Sequence, residues 1–150
     1  MKTILLPALL ALGLFGLSPT LSAQKKTADE VAVMECLLDY MDGGTYGDTT
    51  RLIRAFHPSA SMKFVDNKTG EFKDVPIADF LNRAKAGAGK TQDRQCRITY
   101  YKVTGSAAQG AVVCEYPNFR FLDYFSLLKI NGEWKIVSKV FYREEKTGNK

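Results

Sequence analysis

The sequence is poor in the residues that build metal centres. Its 150 residues include one histidine, His57, and three cysteines, Cys36, Cys96 and Cys114. No two cysteines form a CxxC pair, and a single imidazole does not complete a Cys/His ligand set. The chain also lacks a P-loop, a GxGxxG turn, an HExxH helix and a GxSxG elbow. We therefore expect no metal and no cofactor, and no motif identifies a catalytic residue.

Concentrated positive charge is also missing. Lys and Arg total 21 against 16 Asp and Glu, a formal net charge of +5. The basic residues form no dense block and no ladder with aromatic side chains, so nothing indicates a nucleic-acid partner. Hydrophobic residues make up 45% of the chain and charged residues 25%, which is typical of a globular protein. This length predicts one domain.

Long hydrophobic runs are limited to one, at the amino end. Ile4 to Leu17 has 14 residues without a charge, whereas a membrane-spanning helix needs roughly 20. Lys2 precedes the run, and a small, polar stretch ending at Ala23 follows it. This layout predicts a signal peptide over residues 1–23 and a mature domain over 24–150. We expect a periplasmic or secreted protein with no membrane contact after cleavage; a retained anchor is the alternative.

The spacing of two cysteines suggests a bond between them. A turn at Gly105 separates two strand-like segments, and Cys96 and Cys114 each lie nine residues from it. Residues equidistant from the centre of a hairpin face each other, so we predict a Cys96–Cys114 disulfide, which export would permit. The alternative is two packed thiols. Cys36 is predicted to be a core residue.

The periodicity predicts helices first and strands later. Apolar residues follow the helical period in three segments, and alternating or apolar runs dominate from Asp93 onward. This order favours an α+β fold with helices on one face of an antiparallel sheet. The predicted helices are 27–43, 49–56 and 76–86, and the predicted strands are 61–66, 71–73, 94–104, 107–116, 118–130 and 133–142.

Both faces of the last hairpin are apolar. Asn131-Gly132 is a strong signal for a two-residue turn. A regular ladder from this turn places Asp123, Phe125 and Leu127 on one face with Trp134, Ile136, Ser138 and Val140. The other face then carries Leu122, Tyr124, Ser126 and Leu128 with Val137, Lys139 and Phe141. Helices cover only one face of such a sheet, so we expect the other to be buried in a homodimer.

Two segments resemble a known superfamily. Tyr40–Asp48 (YMDGGTYGD), then Leu52–Ala60 (LIRAFHPSA), look like the opening of nuclear transport factor 2-like (NTF2-like) proteins. The close of the chain, from Phe121 through Lys139, is similar to the ending of a branch of that superfamily described as lumazine-binding. The resemblance implies a cone: three N-terminal helices on a strongly curved, mostly antiparallel sheet around an apolar cavity. It also implies pairing through the outer sheet face.

The superfamily includes ketosteroid isomerase, an enzyme with three catalytic residues. We compare the positions of these three residues with this sequence to test whether the chain could be such an isomerase. Tyr40 has the spacing of its oxyanion-donating tyrosine. Phe64 falls at the position of its general base, and Phe cannot accept a proton. Its second acid falls near Tyr124 or Ser126, and neither is an acid. An isomerase of this kind is therefore disfavoured.

The leading hypothesis is a non-catalytic domain that binds a small apolar or anionic ligand in its cone. If the face bearing Lys139 is concave, its ammonium points into the cavity; the alternative is a rim position or an acidic partner. Asp123, on the opposite face, is predicted to make an inter-subunit hydrogen bond. The candidate cavity residues are Tyr40, Phe56, His57, Phe64, Tyr124, Ser126, Lys139 and Phe141.

Two other classes stay open. One is a cofactor-independent isomerase, dehydratase or hydrolase that uses Tyr40 with His57 or Lys139. The other is a structural dimerisation module whose cavity is filled by its own side chains. The polarity and volume of the cavity distinguish the three.

Overall fold

Three helices pack on a six-stranded mixed sheet in a computed structural model that describes residues 25–146. The predicted signal peptide, residues 1–23, lies outside the described residues. No helix of the described part is long and apolar enough to cross a membrane. The elements are α1 (Ala28–Tyr46), α2 (Thr49–Ala55), β1 (Phe56–Val65), β2 (Phe72–Pro76), α3 (Ile77–Ala86), β3 (Gln95–Thr104), β4 (Ala107–Glu115), β5 (Phe119–Ile130) and β6 (Glu133–Glu145).

Helix α1 begins where the sequence predicts and ends later. Thr27 and Glu30 form a capping box, in which each side chain accepts from the other's backbone N–H. The helix continues past residue 43, where the sequence predicts its end, and stops at Gly47 in the left-handed conformation. A Cβ at Gly43 would lie 2.9 Å from Leu52 Cγ. This glycine serves close packing between α1 and α2 rather than termination.

The sheet order is β2-β1-β6-β5-β4-β3, and the sheet does not close. All neighbouring strands are antiparallel except β1 and β6, which are parallel. Helix α1 lies against β3, β4 and β6 on the concave face. The core between α1 and the sheet includes Leu37, Leu52, Leu127 and Ile136, all at most 1% exposed. The expected α+β cone is confirmed.

A bulge in β3 controls the register of the first long hairpin. Thr104 pairs with Ala107, so the turn is centred between Gly105 and Ser106 rather than on Gly105. The register shifts by one between Ile98 and Tyr100, and Cys96 then pairs with Cys114. The two cysteines are joined by a disulfide in the structure. The predicted turn position is off by half a residue, and the bulge shifts the register back, so the predicted pairing of the two cysteines is still correct.

A second bulge corrects the predicted faces of the last hairpin. Pairing shifts between Ser126 and Leu127, because Leu127 pairs with Ile136 whereas Ser126 pairs with Ser138. Val137 is therefore the extra residue, and everything beyond it in β6 changes face. Lys139 and Phe141 consequently join Asp123 on the concave face, while Ser138 and Val140 move to the outer face. The regular ladder assumed from the sequence was wrong for this half of β6.

Candidate functional site

Three polar side chains meet in the core of the cone. Tyr40 comes from α1, Asp123 from β5 and Lys139 from β6, and they are 4%, 0% and 5% exposed. The Tyr40 hydroxyl donates to Asp123 Oδ2 at 2.6 Å, and Lys139 Nζ donates to the Tyr40 hydroxyl at 2.7 Å. Lys139 Nζ also lies 2.8 Å from Asp123 Oδ1. We call these three residues the buried triad.

The triad holds opposite charges in a site without solvent. Burial raises the pKa of Tyr40 well above its ordinary value, and the negative charge of Asp123 adds to that shift. Burial lowers the pKa of Lys139, while the carboxylate of Asp123 opposes the shift. Asp123 Oδ1 faces the ammonium as an ion-pair partner outside hydrogen-bond geometry. The ammonium is therefore neutralised by one carboxylate and keeps hydrogen-bonding capacity to spare.

Aromatic rings surround the ammonium of Lys139. Nζ lies 4.8 Å from the ring centroids of both Tyr40 and Phe141, and 5.9 and 6.0 Å from those of Phe121 and Phe125. Cation–π attraction is strongest where water is excluded, as it is here. The cation thus fixes the positions of the rings that surround it.

Two of these rings separate the triad from a cavity at the open end of the cone. The cavity has a volume of about 280 Å³. Its concave-face walls come from Phe64, Phe121, Phe141 and Arg143, and the β1–β2 turn closes one side. Phe64 stacks on Phe141 at a centroid distance of 4.5 Å. We call this space the mouth cavity; its aromatic wall is backed by the Lys139 ammonium.

Arg143 supplies positive charge beside that wall. Its guanidinium lies 4.0 Å from the centroid of Phe119. Its Nε atom is buried and has no hydrogen-bond partner among the described residues, although Glu145 Oε1 lies 3.2 Å away. Glu145 and Asp66 also line the cavity, so the guanidinium lies there beside a carboxylate.

The structure brings together five of the eight candidate cavity residues. Tyr40, Phe64, Lys139 and Phe141 lie on the concave side as described, and the ring of Phe56 contacts that of Tyr40 at 5.9 Å. Each of these five comes from α1, β1 or β6.

The other three lie elsewhere. His57 bonds locally, because Ser59 donates to its Nδ1 from the backbone and the Ser59 hydroxyl lies 2.7 Å from the same atom. Tyr124 and Ser126 are on the outer face, where Tyr124 is 55% exposed. They line a broad groove there with Tyr100 and Val140. Their assignment to the interior was wrong, because odd-numbered residues of β5 face the helices.

Asp123 is the residue whose role the sequence obscured. Its expected inter-subunit hydrogen bond is instead made within the chain, to Tyr40. The isomerase comparison sought an acid near Tyr124 or Ser126, and the acid that faces Tyr40 is one residue earlier. Phe64, at the position of the general base, lies on the concave face, and its side chain cannot accept a proton.

Comparisons with known proteins agree with this architecture. Residues 28–142 match a family described as "Putative lumazine-binding". An NTF2-like protein of unknown function from Methylobacillus flagellatus is 31% identical, with a TM-score of 0.68 over 80% of this chain and 96% of its own. Another from Shewanella baltica is 26% identical, with a TM-score of 0.71 over 81% and 100% of the two chains. The chain belongs to this lumazine-binding family of the NTF2-like superfamily.

Two further similarities bear on chemistry. A curated protein from Cladobotryum, aldolase FrzH, is 28% identical over 117 residues, covering 74% of this chain and 88% of its own. A ketosteroid isomerase-like protein from Shewanella frigidimarina is 13% identical, with a TM-score of 0.56 over 74% and 94% of the two chains. The second similarity shows the fold alone.

Proposed function

We propose that this domain is an exported, homodimeric binder of a small, flat organic ligand that carries an acidic or carbonyl oxygen. The mouth cavity is the proposed site. The observation that carries this proposal is the aromatic wall of Phe64, Phe121 and Phe141 with the Arg143 guanidinium beside it. Apolar pockets with a few convergent polar groups are the usual form of small-molecule sites.

The buried triad supports binding by holding the wall in place. The Lys139 ammonium attracts the rings of Phe121 and Phe141 from behind, so both rings are positioned before a ligand arrives. Preorganised walls reduce the ordering cost of binding. The Arg143 guanidinium at the rim favours a ligand with an acidic or carbonyl oxygen.

A titration tests the proposed site. Lumazine, a flat bicyclic dione, and benzoate, a simple aromatic carboxylate, are suitable probes, with binding followed by fluorescence and calorimetry. We expect Phe64→Ala to weaken binding about tenfold, since the stacking of a flat heterocycle on an aromatic side chain contributes on the order of 1–3 kcal/mol. Tyr46→Ala removes a ring that is 58% exposed at the end of α1 and serves as the control. Equal affinities for the wild type and both variants, or no binding of either probe, would reject the mouth cavity as the site.

The second candidate function is carbonyl chemistry at Lys139. Two observations support this candidate. The chain is similar to an aldolase, and the buried triad places an amine, a carboxylate and a phenol in mutual contact. In this reaction Asp123 takes a proton from the ammonium, and the free amine adds to the carbonyl carbon. The carbonyl oxygen receives through Tyr40 the proton held by Asp123 and a second proton from the nitrogen, and it leaves as water, which yields an iminium ion on Lys139.

Reductive trapping separates the two functions. The protein is incubated with benzaldehyde and cyanoborohydride at pH 7, and the modified lysines are mapped by peptide mass. Carbonyl chemistry predicts rapid, selective modification of Lys139, which Asp123→Asn slows. If only exposed lysines such as Lys85 are modified, carbonyl chemistry at Lys139 is rejected, and ligand binding is the function that the structure supports.

A further inference from the structure

We infer that a second cavity, at the carboxyl end of α1, binds a small oxyanion such as a phosphate or carboxylate group. This cavity has a volume of about 230 Å³ and lies between the end of α1, helix α3 and the segment that leads into β3. We call it the basic cavity. It does not share a lining residue with the mouth cavity, so this inference is independent of the proposed function.

Every charged side chain that lines the basic cavity is cationic. These side chains are Arg83 from α3, and Lys90 and Arg94 from the segment after it. Within residues 25–146 none of the three forms an ion pair with a carboxylate. By contrast, Arg51, Arg54 and Arg120 all have carboxylate partners. Three positive charges that line one cavity without a carboxylate partner favour the entry of an anion.

Arg94 is held in place by neutral acceptors. Its Nε donates to Thr45 Oγ1 at 3.0 Å, its Nη1 to the Tyr116 hydroxyl at 2.9 Å and its Nη2 to the Met41 carbonyl at 3.0 Å. A guanidinium has five N–H donors, so one hydrogen on each terminal nitrogen stays available. The positive charge also complements the carboxyl end of α1. Arg94 is thus a positioned donor rather than a mobile surface side chain.

Two glycines at the end of α1 allow Arg94 and the segment between α3 and β3 to pack closely against this helix. A Cβ at Gly44 would lie 2.1 Å from Arg94 Nη2. Gly47 has a φ of 65°, and a Cβ there would lie 2.8 Å from the backbone nitrogens of Gly89 and Lys90. The Gly89 N–H donates to the Gly47 carbonyl at 3.0 Å. These contacts fix the backbone that carries Lys90 against the cavity.

The occupant is expected to be an oxyanion because guanidinium groups pair with planar or tetrahedral oxygen clusters. The cavity volume exceeds that of a lone anion, so the rest of the ligand has room beside Phe80 and Leu52, which also line the cavity. A phosphorylated or carboxylated small molecule fits both the charge and the apolar wall.

The probes for this site are inorganic phosphate and acetate, titrated by calorimetry into the whole domain at constant ionic strength, with chloride as the reference anion. The test variant is the double substitution Arg83→Gln/Lys90→Gln. Arg94 is left in place because it caps α1. The control is Lys25→Gln/Lys85→Gln, which removes the same net charge from exposed positions outside the cavity.

We expect the wild type and the control to bind phosphate or acetate equally. The test variant, which lacks two of the three cationic side chains of the cavity, should bind it at least about tenfold more weakly. The tighter of the two probes identifies the ligand as phosphate-bearing or carboxylate-bearing. Equal weakening in test and control variants means a general charge effect and overturns the site, as does a lack of binding to both probes. Lumazine binding is expected to be unchanged in the test variant, so the proposals for the two cavities are tested independently of each other.

Discussion

Lys139 and Asp123 illustrate how a buried ion pair depends on both partners. Each is at most 5% exposed, so the loss of one partner leaves an uncompensated charge in a site without water. Folding removes both charged groups from water, and this desolvation cost offsets most of the attraction between them. The intact pair therefore adds little net stability. Removing both charges is therefore expected to be much milder than removing one.

Lys139→Met tests this expectation. We expect the free energy of unfolding to fall by about 3–5 kcal/mol, because Asp123 is left charged and unpaired. The double variant Lys139→Met/Asp123→Leu should recover most of that loss. Urea unfolding followed by circular dichroism measures both values. A double variant whose loss equals the sum of the two single losses would contradict this account.

Cys36 is predicted to be chemically inert in the folded protein. Burial raises the pKa of its thiol from 9.0 to about 12, and Sγ donates to the Ala55 carbonyl at 3.4 Å. At pH 8 the folded protein should not react with a thiol reagent over an hour, whereas the unfolded protein should react at one site. Reaction of the native protein at the same rate as the unfolded one would show that Cys36 is accessible.

The same pKa shift predicts a pH dependence of stability. Between pH 9 and 12 the folded state keeps a proton that the unfolded state has released. The free energy of unfolding therefore falls as the pH rises through this range. Cys36→Ala lacks this contribution and should show a shallower decline.

At the scale of elements, the two bulges decide which side chains meet. The sequence indicates β3 to β6 and the Asn131-Gly132 turn correctly, because this turn and the alternation are local signals. The bulge at Val137 lies where the pairing of β6 with β1 also shifts, so it involves a strand distant in the sequence rather than a local pattern. For this reason the strands could be predicted, whereas the faces of Lys139, Phe141 and Val140 could not.

The β3–β4 hairpin provides the element-scale prediction. The Cys96–Cys114 disulfide closes a segment with a sequence separation of 18, and such a loop contributes on the order of 3 kcal/mol by restricting the unfolded chain. Cys96→Ala/Cys114→Ala should lower the stability by that amount. Reductant should lower the stability of the wild type to the same level and leave the double variant unchanged. Intact masses that are identical with and without reductant would show that the bond is not formed.

At the scale of the whole molecule, the outer face of the sheet is left apolar. Tyr124, Leu128, Val140 and Tyr142 are each at least 41% exposed there. The sequence already indicated two apolar faces in the last hairpin, and the bulge changes which residues supply the second. We propose this face as the interface of the homodimer, because large exposed apolar faces are typical of interaction sites.

Tyr124→Lys is the variant that tests this face. We expect the wild type to be a dimer by light scattering at micromolar concentration and the variant to be a monomer with an unchanged circular dichroism spectrum. Tyr46→Lys, which is outside this face, should stay dimeric. A monomeric wild type would contradict the proposed homodimer.

The most direct measurement is native mass spectrometry of the protein purified from its own host, compared with the variant Phe64→Ala and with Tyr46→Ala. Our account predicts that the wild type and Tyr46→Ala carry a small organic mass that Phe64→Ala loses. A wild type that is bare in every preparation, or a bound mass that Phe64→Ala retains in full, would contradict the claim that the mouth cavity is a ligand site.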